Sequence, residues 1–341
     1  MPARDPAREG GPAAYRPVLR ARRGELVALH HLDPGQAARV APVLEPVAAA
    51  QGAEELTRLL RELPPATPTV AVDTSVTGGD PLLLGERLGE LGIAAEPVLR
   101  SWDDDRRLAQ AGLAAKLFGG RAVFRFQPYV DVRNAPAATE LCRHVWSTAD
   151  LAAEQMDLLV DLADVGCAAG AARFGDRTRR VLRWARGHPW RSITLVAGAM
   201  PANLDELPSD EAVAVERFDA RFFAAVADEG IGYGDYGVTS PLRRHGVHHR
   251  QLPTLRYATG AEWWIYRWSR RGGRPDDRCH DLCRTLVGAA HWPAAGARFS
   301  WGDAMIARRA RTAPGAGSPA SWMAWSTSHH IAQVLTERAV S

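Results

Sequence analysis

The sequence predicts a (β/α)8 barrel carrying a C-terminal α+β extension. Eight short apolar runs punctuate the first 240 residues, helix-like stretches or loops separate most of them, and the runs end repeatedly in Arg, Asp or Glu. Strands alternating with helices imply a parallel sheet covered on both faces. Past Pro241 that alternation stops.

The runs are YRPVLRA (15–21), VAPVLEPV (40–47), TVAVDTSV (69–76), AAEPVLR (94–100), RAVFRFQ (121–127), MDLLVDLADV (156–165), SITLVAGAMP (192–201) and IGYGDYGVTSP (231–241). Between them, RRGELVALHHL sets Leu26, Leu29 and Leu32 at helical spacing, and EELTRLLREL (54–63) is stopped by Pro64 and Pro65. LLLGERLGELG (82–92) closes on Gly92, and DDDRRLAQAGLAAKLFGG (103–120) opens in acid residues and closes on glycine, as helix polarity and capping favour. DRTRRVLRWARGH (176–188) and ERFDARFFAAVADEG (216–230) complete the outer layer. Neither GxGxxG nor GxxxxGK[ST] follows the first strand, so a closed barrel is preferred over an open dinucleotide- or nucleotide-binding sheet, and no NAD is expected.

The expected organisation is a disordered leader over 1–14, the barrel over 15–241 and a Trp-rich extension over 242–341 packed on it. In the extension, TLRYATGAEWWIYRWSR (254–270) reads as a hairpin turning at Thr259 and Gly260, and CHDLCRTLVGAAH (279–291) as a helix. Seven of the 11 tryptophans lie there, and packing is their expected role.

With 341 residues and 46% hydrophobic composition the chain can bury a full core. A net charge of +3, with Lys116 the only lysine among 42 basic residues, does not describe a dedicated nucleic-acid binder. The 4 cysteines are too few for a disulfide scaffold, and Cys279 and Cys283 read as buried helix residues in preference to zinc ligands. The leader lacks the apolar core of a secretory signal and no run is long enough to span a membrane, so a cytoplasmic protein is expected.

Several segments, taken in order, are similar to one family. They are the opening strand with its Arg-Arg-Gly-Glu25 continuation, Ala-Pro-Val-Leu-Glu45, Gly234-Asp-Tyr-Gly-Val-Thr-Ser-Pro241, Arg256-Tyr-Ala-Thr with Trp264-Ile-Tyr-Arg267, Phe299-Ser-Trp-Gly-Asp303 and Ser328-His-His-Ile331. Together they resemble the phage and bacterial beta-protein family over nearly the whole chain. The resemblance groups the chain and implies no particular activity. Where the family carries lysine at or near Arg20 and Arg22, arginine keeps the charge but offers no amine nucleophile, so Schiff-base chemistry, pyridoxal phosphate included, is not expected.

A barrel brings its C-terminal strand ends to one mouth, the place where such enzymes do chemistry. Glu45, Asp73, Asp161 and Asp235 are the expected acid/base or divalent-metal carboxylates. Arg20, Arg22, Arg100, Arg125, Gln127, Tyr236 and Arg267 are the expected binders of an anionic small molecule, nucleotide or peptide. His330 is expected to reach the barrel as base or ligand from an extended segment before the terminal helix, with the His30–His31 and His248–His249 pairs at the surface. Gly198 to Pro201 and Gly234 to Thr239 are possible phosphate-facing backbone.

Three readings follow: a hydrolase or lyase of this kind, a catalytically silent recognition protein of phage-related or defence biology, and an Arg–carboxylate network that closes the barrel top. On the first, Asp235→Asn and Arg125→Ala are expected to impair binding or turnover with limited loss of stability.

Overall fold

The computed structural model describes residues 15–47, 56–58, 60–61, 63, 70–131, 134–242, 252–269, 275–311 and 317–340. The expected leader and the His248–His249 pair lie outside the described residues. All eight expected barrel strands form, as β1 (Val18–Arg20), β2 (Val43–Glu45), β3 (Val70–Val72), β4 (Ala95–Arg100), β5 (Ala122–Phe126), β6 (Met156–Asp164), β7 (Ser192–Gly198) and, after a strand β8 (Ala212–Glu216) that belongs elsewhere, β9 (Ile231–Gly234). They pair in parallel in that order. Arg16 N donates to Tyr233 O at 3.0 Å and Val18 N to Asp235 O at 2.7 Å, which joins the last barrel strand to the first.

Alternation along the strands builds the interior in layers. Val18, Val43, Ala71, Val98, Val123, Leu159 and Val196 form one buried apolar layer. Below it, Arg16 pairs with Asp157 at 2.5 Å, and Arg191 with Asp157 at 2.6 Å and Glu96 at 2.9 Å. Two residues beyond the apolar layer, towards the C-terminal ends, stand Arg20, Glu45, Asp73, Arg100, Arg125 and Asp161.

Local chemistry sets the covering helices. Asp80, Asp104 and Asn134 cap the starts of helices Pro81–Glu90, Asp105–Leu117 and Ala135–Ala149 by accepting from backbone N–H groups. A Cβ at Gly112 would lie 1.9 Å from Ala149 O, so the last two of these helices approach as only glycine allows.

Thr254–Ala258 and Glu262–Arg267 are β10 and β11, the expected hairpin. Its third strand is β8, antiparallel to β11, drawn from the connection between β7 and β9. One face of this small sheet carries Leu255, Tyr257, Tyr266 and Trp268 into a core with Cys279, Cys283, Trp322 and Trp325. The other face sets Ala258, Trp263 and Ile265 against Met200 and Val238, which follow β7 and β9, so the sheet roofs one side of the barrel mouth. Four of the extension's tryptophans, Trp263, Trp268, Trp322 and Trp325, are thus buried packing residues. Among the described residues no helix is long and apolar enough to cross a membrane.

Candidate functional site

Five of the expected residues meet around Arg125, which projects from β5 and is 2% exposed. Its Nε donates to Asp161 Oδ2 at 2.8 Å, its Nη1 to Glu45 Oε1 at 2.7 Å and Asp73 Oδ2 at 3.1 Å, and its Nη2 to Tyr236 Oη at 2.8 Å. Tyr236 in turn donates to Asp161 at 2.7 Å, and Gln127 Nε2 donates to the same carboxylate at 3.1 Å. Carboxylates from β2, β6 and the end of β3 are therefore tied together by one guanidinium from β5.

Electrostatics follow from that arrangement. Burial alone would raise Asp73, but the Arg100 and Arg125 guanidiniums and Ser75 hold it below the usual carboxylate range. Asp161 is likewise low, because Arg125, Arg100 and the Tyr236 hydroxyl outweigh its burial. Burial pushes the Tyr236 phenol well up, against the pull of Arg125, so it stays protonated. The mouth thus holds ionised carboxylates beside a neutral phenol. Just beyond Asp161, Ala163 adopts φ 54° and donates to Asp161 Oδ1 at 2.9 Å, at the point where the β6–β7 register shifts. A left-handed alanine is strained backbone, here spent on orienting a mouth carboxylate.

Arg100 is the least satisfied member. Its Nε lies 3.0 Å from Asp73 Oδ2 and its guanidinium 4.6 Å from the centre of the half-exposed Trp102 ring, but its Nη1 is buried with no hydrogen-bond partner. A buried charged donor without an acceptor is costly unless something supplies one.

Arg125 stands where a divalent cation bridging Glu45, Asp73 and Asp161 would have to sit. Among the described residues no three His, Cys, Asp or Glu side chains converge as a metal-binding group. The residues present do not fit the expected metal.

Other expected residues lie apart from this ring. Gly232 and Gly234 face the barrel interior, since a Cβ on either would press Thr194 or Val196. Asp235, one residue on, therefore points outwards, a correction to its expected place at the mouth. It accepts from Tyr15, from Gly237 N at 2.8 Å, from Tyr233 Oη at 3.2 Å and from His330 Nε2 at 2.7 Å. Burial would raise it, yet His330 and Tyr15 hold it low.

His330 is likewise not in an extended segment: it lies inside the helix Pro319–Val340, whose successive residues diverge by about 100°. His329 consequently faces Asp303 at 2.9 Å and Ala258 O at 2.8 Å. Asp235 and His330 staple the C-terminal helix to the seam between β9 and β1.

Arg267 holds the loop after β7, donating to Leu207 O at 2.7 Å and Asp205 at 2.8 Å. Arg20 Nη2 donates to Ser240 O at 3.0 Å, and Arg22 is exposed at the start of the first helix, Arg23–His30. Gly198 serves packing, its absent Cβ leaving room for Pro241 and Tyr236, and Gly237, at φ 56°, turns its N–H onto Asp235.

Glu25 and Arg256 are not among the residues expected at the site. Both stand in the quoted family-like segments, but an acid in a helix's first turn reads as ordinary dipole complement.

A family model described as Beta protein matches residues 15–336. The chain belongs to that family. The Beta protein match begins at Tyr15, the partner of Asp235, and ends at Thr336 in the C-terminal helix, so it takes in the barrel, its small sheet and the staple between them. No curated protein matches the sequence.

Proposed function

We propose that this Beta protein family member is a barrel enzyme acting on an anionic small molecule, nucleotide or peptide at its C-terminal mouth, by hydrolysis or lysis. The observation that carries the reading is the buried, unpartnered Nη1 of Arg100 within a ring of inward charges. A ligand phosphate or carboxylate supplies the missing acceptor as a charge-assisted hydrogen bond. Half-exposed Trp102 covers one face of the Arg100 guanidinium, beside the place where the anion would bind. Asp73 orients Arg100, and Asp161 and Glu45 are the carboxylates available for proton transfer, with Tyr236 a neutral donor beside them. Support for turnover comes by analogy from the fold, whose C-terminal face is where barrel enzymes work.

A second reading, recognition without turnover, is favoured by one feature: every nitrogen of Arg125 is engaged, so the carboxylates it binds are already held in place by hydrogen bonds. The test is a thermal-shift screen of phosphorylated and carboxylated metabolites, followed by product analysis on each stabilising compound. Stabilisation with product formation supports the enzyme, and stabilisation without product supports recognition. If no anion raises the melting temperature, both are wrong.

A further inference from the structure

Beside the mouth lies a second, differently balanced group of charges. Glu25 sits in the first turn of the helix Arg23–His30, is 1% exposed, and has no hydrogen-bond partner on either carboxylate oxygen. The helix start is pinned, because a Cβ at Gly24 would lie 2.7 Å from Met323 Cβ on the C-terminal helix. Its N-cap residue, Arg22, makes no side-chain capping bond, so the first-turn N–H groups receive no side-chain acceptor from that position.

Across from it, Arg256 on β10 anchors its backbone N–H on Ser326 Oγ at 3.0 Å and has a buried Nε without a partner. Arg256 pairs in register with Ile265, and Thr254 with Arg267, so Arg256 and Arg267 share the sheet face that roofs the mouth. The charges acting most strongly on Glu25 are Arg22, Arg20 and Arg256, and those acting on Arg256 are Glu25, Arg20, Arg22 and Arg267. Three guanidiniums, Arg20, Arg22 and Arg256, act on one carboxylate, and Arg267 acts on Arg256.

We propose that Arg20, Arg22, Arg256 and the N-terminus of the first helix bind a tetrahedral dianion, the phosphate or sulfate group of a ligand, and that Glu25 takes up a proton as it binds. The inference rests on the anionic-ligand reading above and places the anion's charged end at the rim. Helix N-termini and arginine forks suit such oxyanions. An ionised Glu25 repels the dianion, whereas a protonated one offers it an O–H donor.

Burial pushes the Glu25 carboxyl up to about 7 against the pull of its own backbone N–H and of its arginines, so the exchange falls in the neutral range. Glu25 is faced by Arg22 from its own helix, Arg20 from β1 and Arg256 from β10. On the C-terminal helix packed against it, His329 is engaged with Asp303, His330 with Asp235 and Glu337 with Arg217, while Arg338 lies over Tyr233.

Calorimetric titration of the full chain with sulfate, which does not change charge near neutrality, tests the proposal. Wild type is expected to bind about tenfold more weakly at pH 8 than at pH 6, the fall in the protonated fraction. At pH 8 it takes up close to one proton, read from buffers of different ionisation enthalpy. Glu25→Gln is expected to bind equally at both pH values with no proton uptake, and Arg256→Gln to bind about tenfold more weakly at pH 6 with an unchanged melting temperature.

Sulfate binding that is pH-independent in wild type, or unaffected by Arg256→Gln, overturns this site and leaves the mouth reading standing. So does a wild type that binds a carboxylated ligand but no sulfate. Failure of every anion to bind overturns both.

Discussion

Arg125 Nη1 donates to Glu45 Oε1 at 2.7 Å, linking β5 to β2 across the barrel mouth. The bond joins strands that are not neighbours in the sheet, so it braces the top of the barrel as a strut. Arg125→Met is therefore expected to leave Glu45, Asp73 and Asp161 buried without their shared cation and to cost about 3–5 kcal/mol in urea unfolding. A loss below about 1 kcal/mol would show the ring to be solvated and adaptable. The limited loss expected from sequence for Arg125→Ala gives way to this figure, because a side chain 2% exposed with three carboxylate partners is part of the scaffold.

Asp235→Asn is expected to behave as a core substitution. It removes the charge that His330, Tyr15 and Tyr233 are arranged around, costing about 3 kcal/mol. That is comparable to Leu159→Ala, in the barrel's apolar layer, at ~2–5 kcal/mol. Chemical denaturation of both variants checks this, and a near-neutral Asp235→Asn would free Asp235 for a role in binding.

Two opposed pH dependences are expected. Asp73, Asp161 and Asp235 are lowered in the folded chain, so the unfolded chain binds their protons more readily, and the stability they contribute is lost as pH falls below about 4. Glu25 runs the other way: raised from 4.5 to about 7, it contributes stability that is full below about 4.5 and lost as pH rises through 7. That contribution is about 3 kcal/mol. Stability measured at intervals from pH 4 to 8 in wild type and Glu25→Gln should differ by a curve that moves across this window. Parallel curves would mean that the Glu25 carboxyl is solvated.

Much of the mouth was legible because short buried strands carry strong signals. An inward Val43, Val98, Val123 or Leu159 sends the residue two further on inwards as well, which brings Glu45, Arg100, Arg125 and Asp161 to one ring. The same parity misplaces Asp235. Two glycines give no hydrophobic mark of which face is inside, so its position one residue out of step was not visible.

The helical setting of His330 was hidden for a related reason. SHHI has no strong helix signal, and only the packing of the whole Pro319–Val340 helix settles its phase. β8 is a four-residue Ala-Val alternation followed by Glu216, inside a connection, and its partner is nearly 50 residues away, beyond reach of local periodicity. Glu25 and Arg256 come together only when the small sheet folds over the mouth.

The central claim is that Arg100 receives an anion at the mouth. Isothermal titration of wild type and Arg100→Met with the anion that most stabilises the wild-type chain tests it most directly, once urea unfolding has shown the variant to be folded. Binding to wild type that weakens at least tenfold in Arg100→Met is the predicted result. Equal affinity in the two proteins would contradict the account.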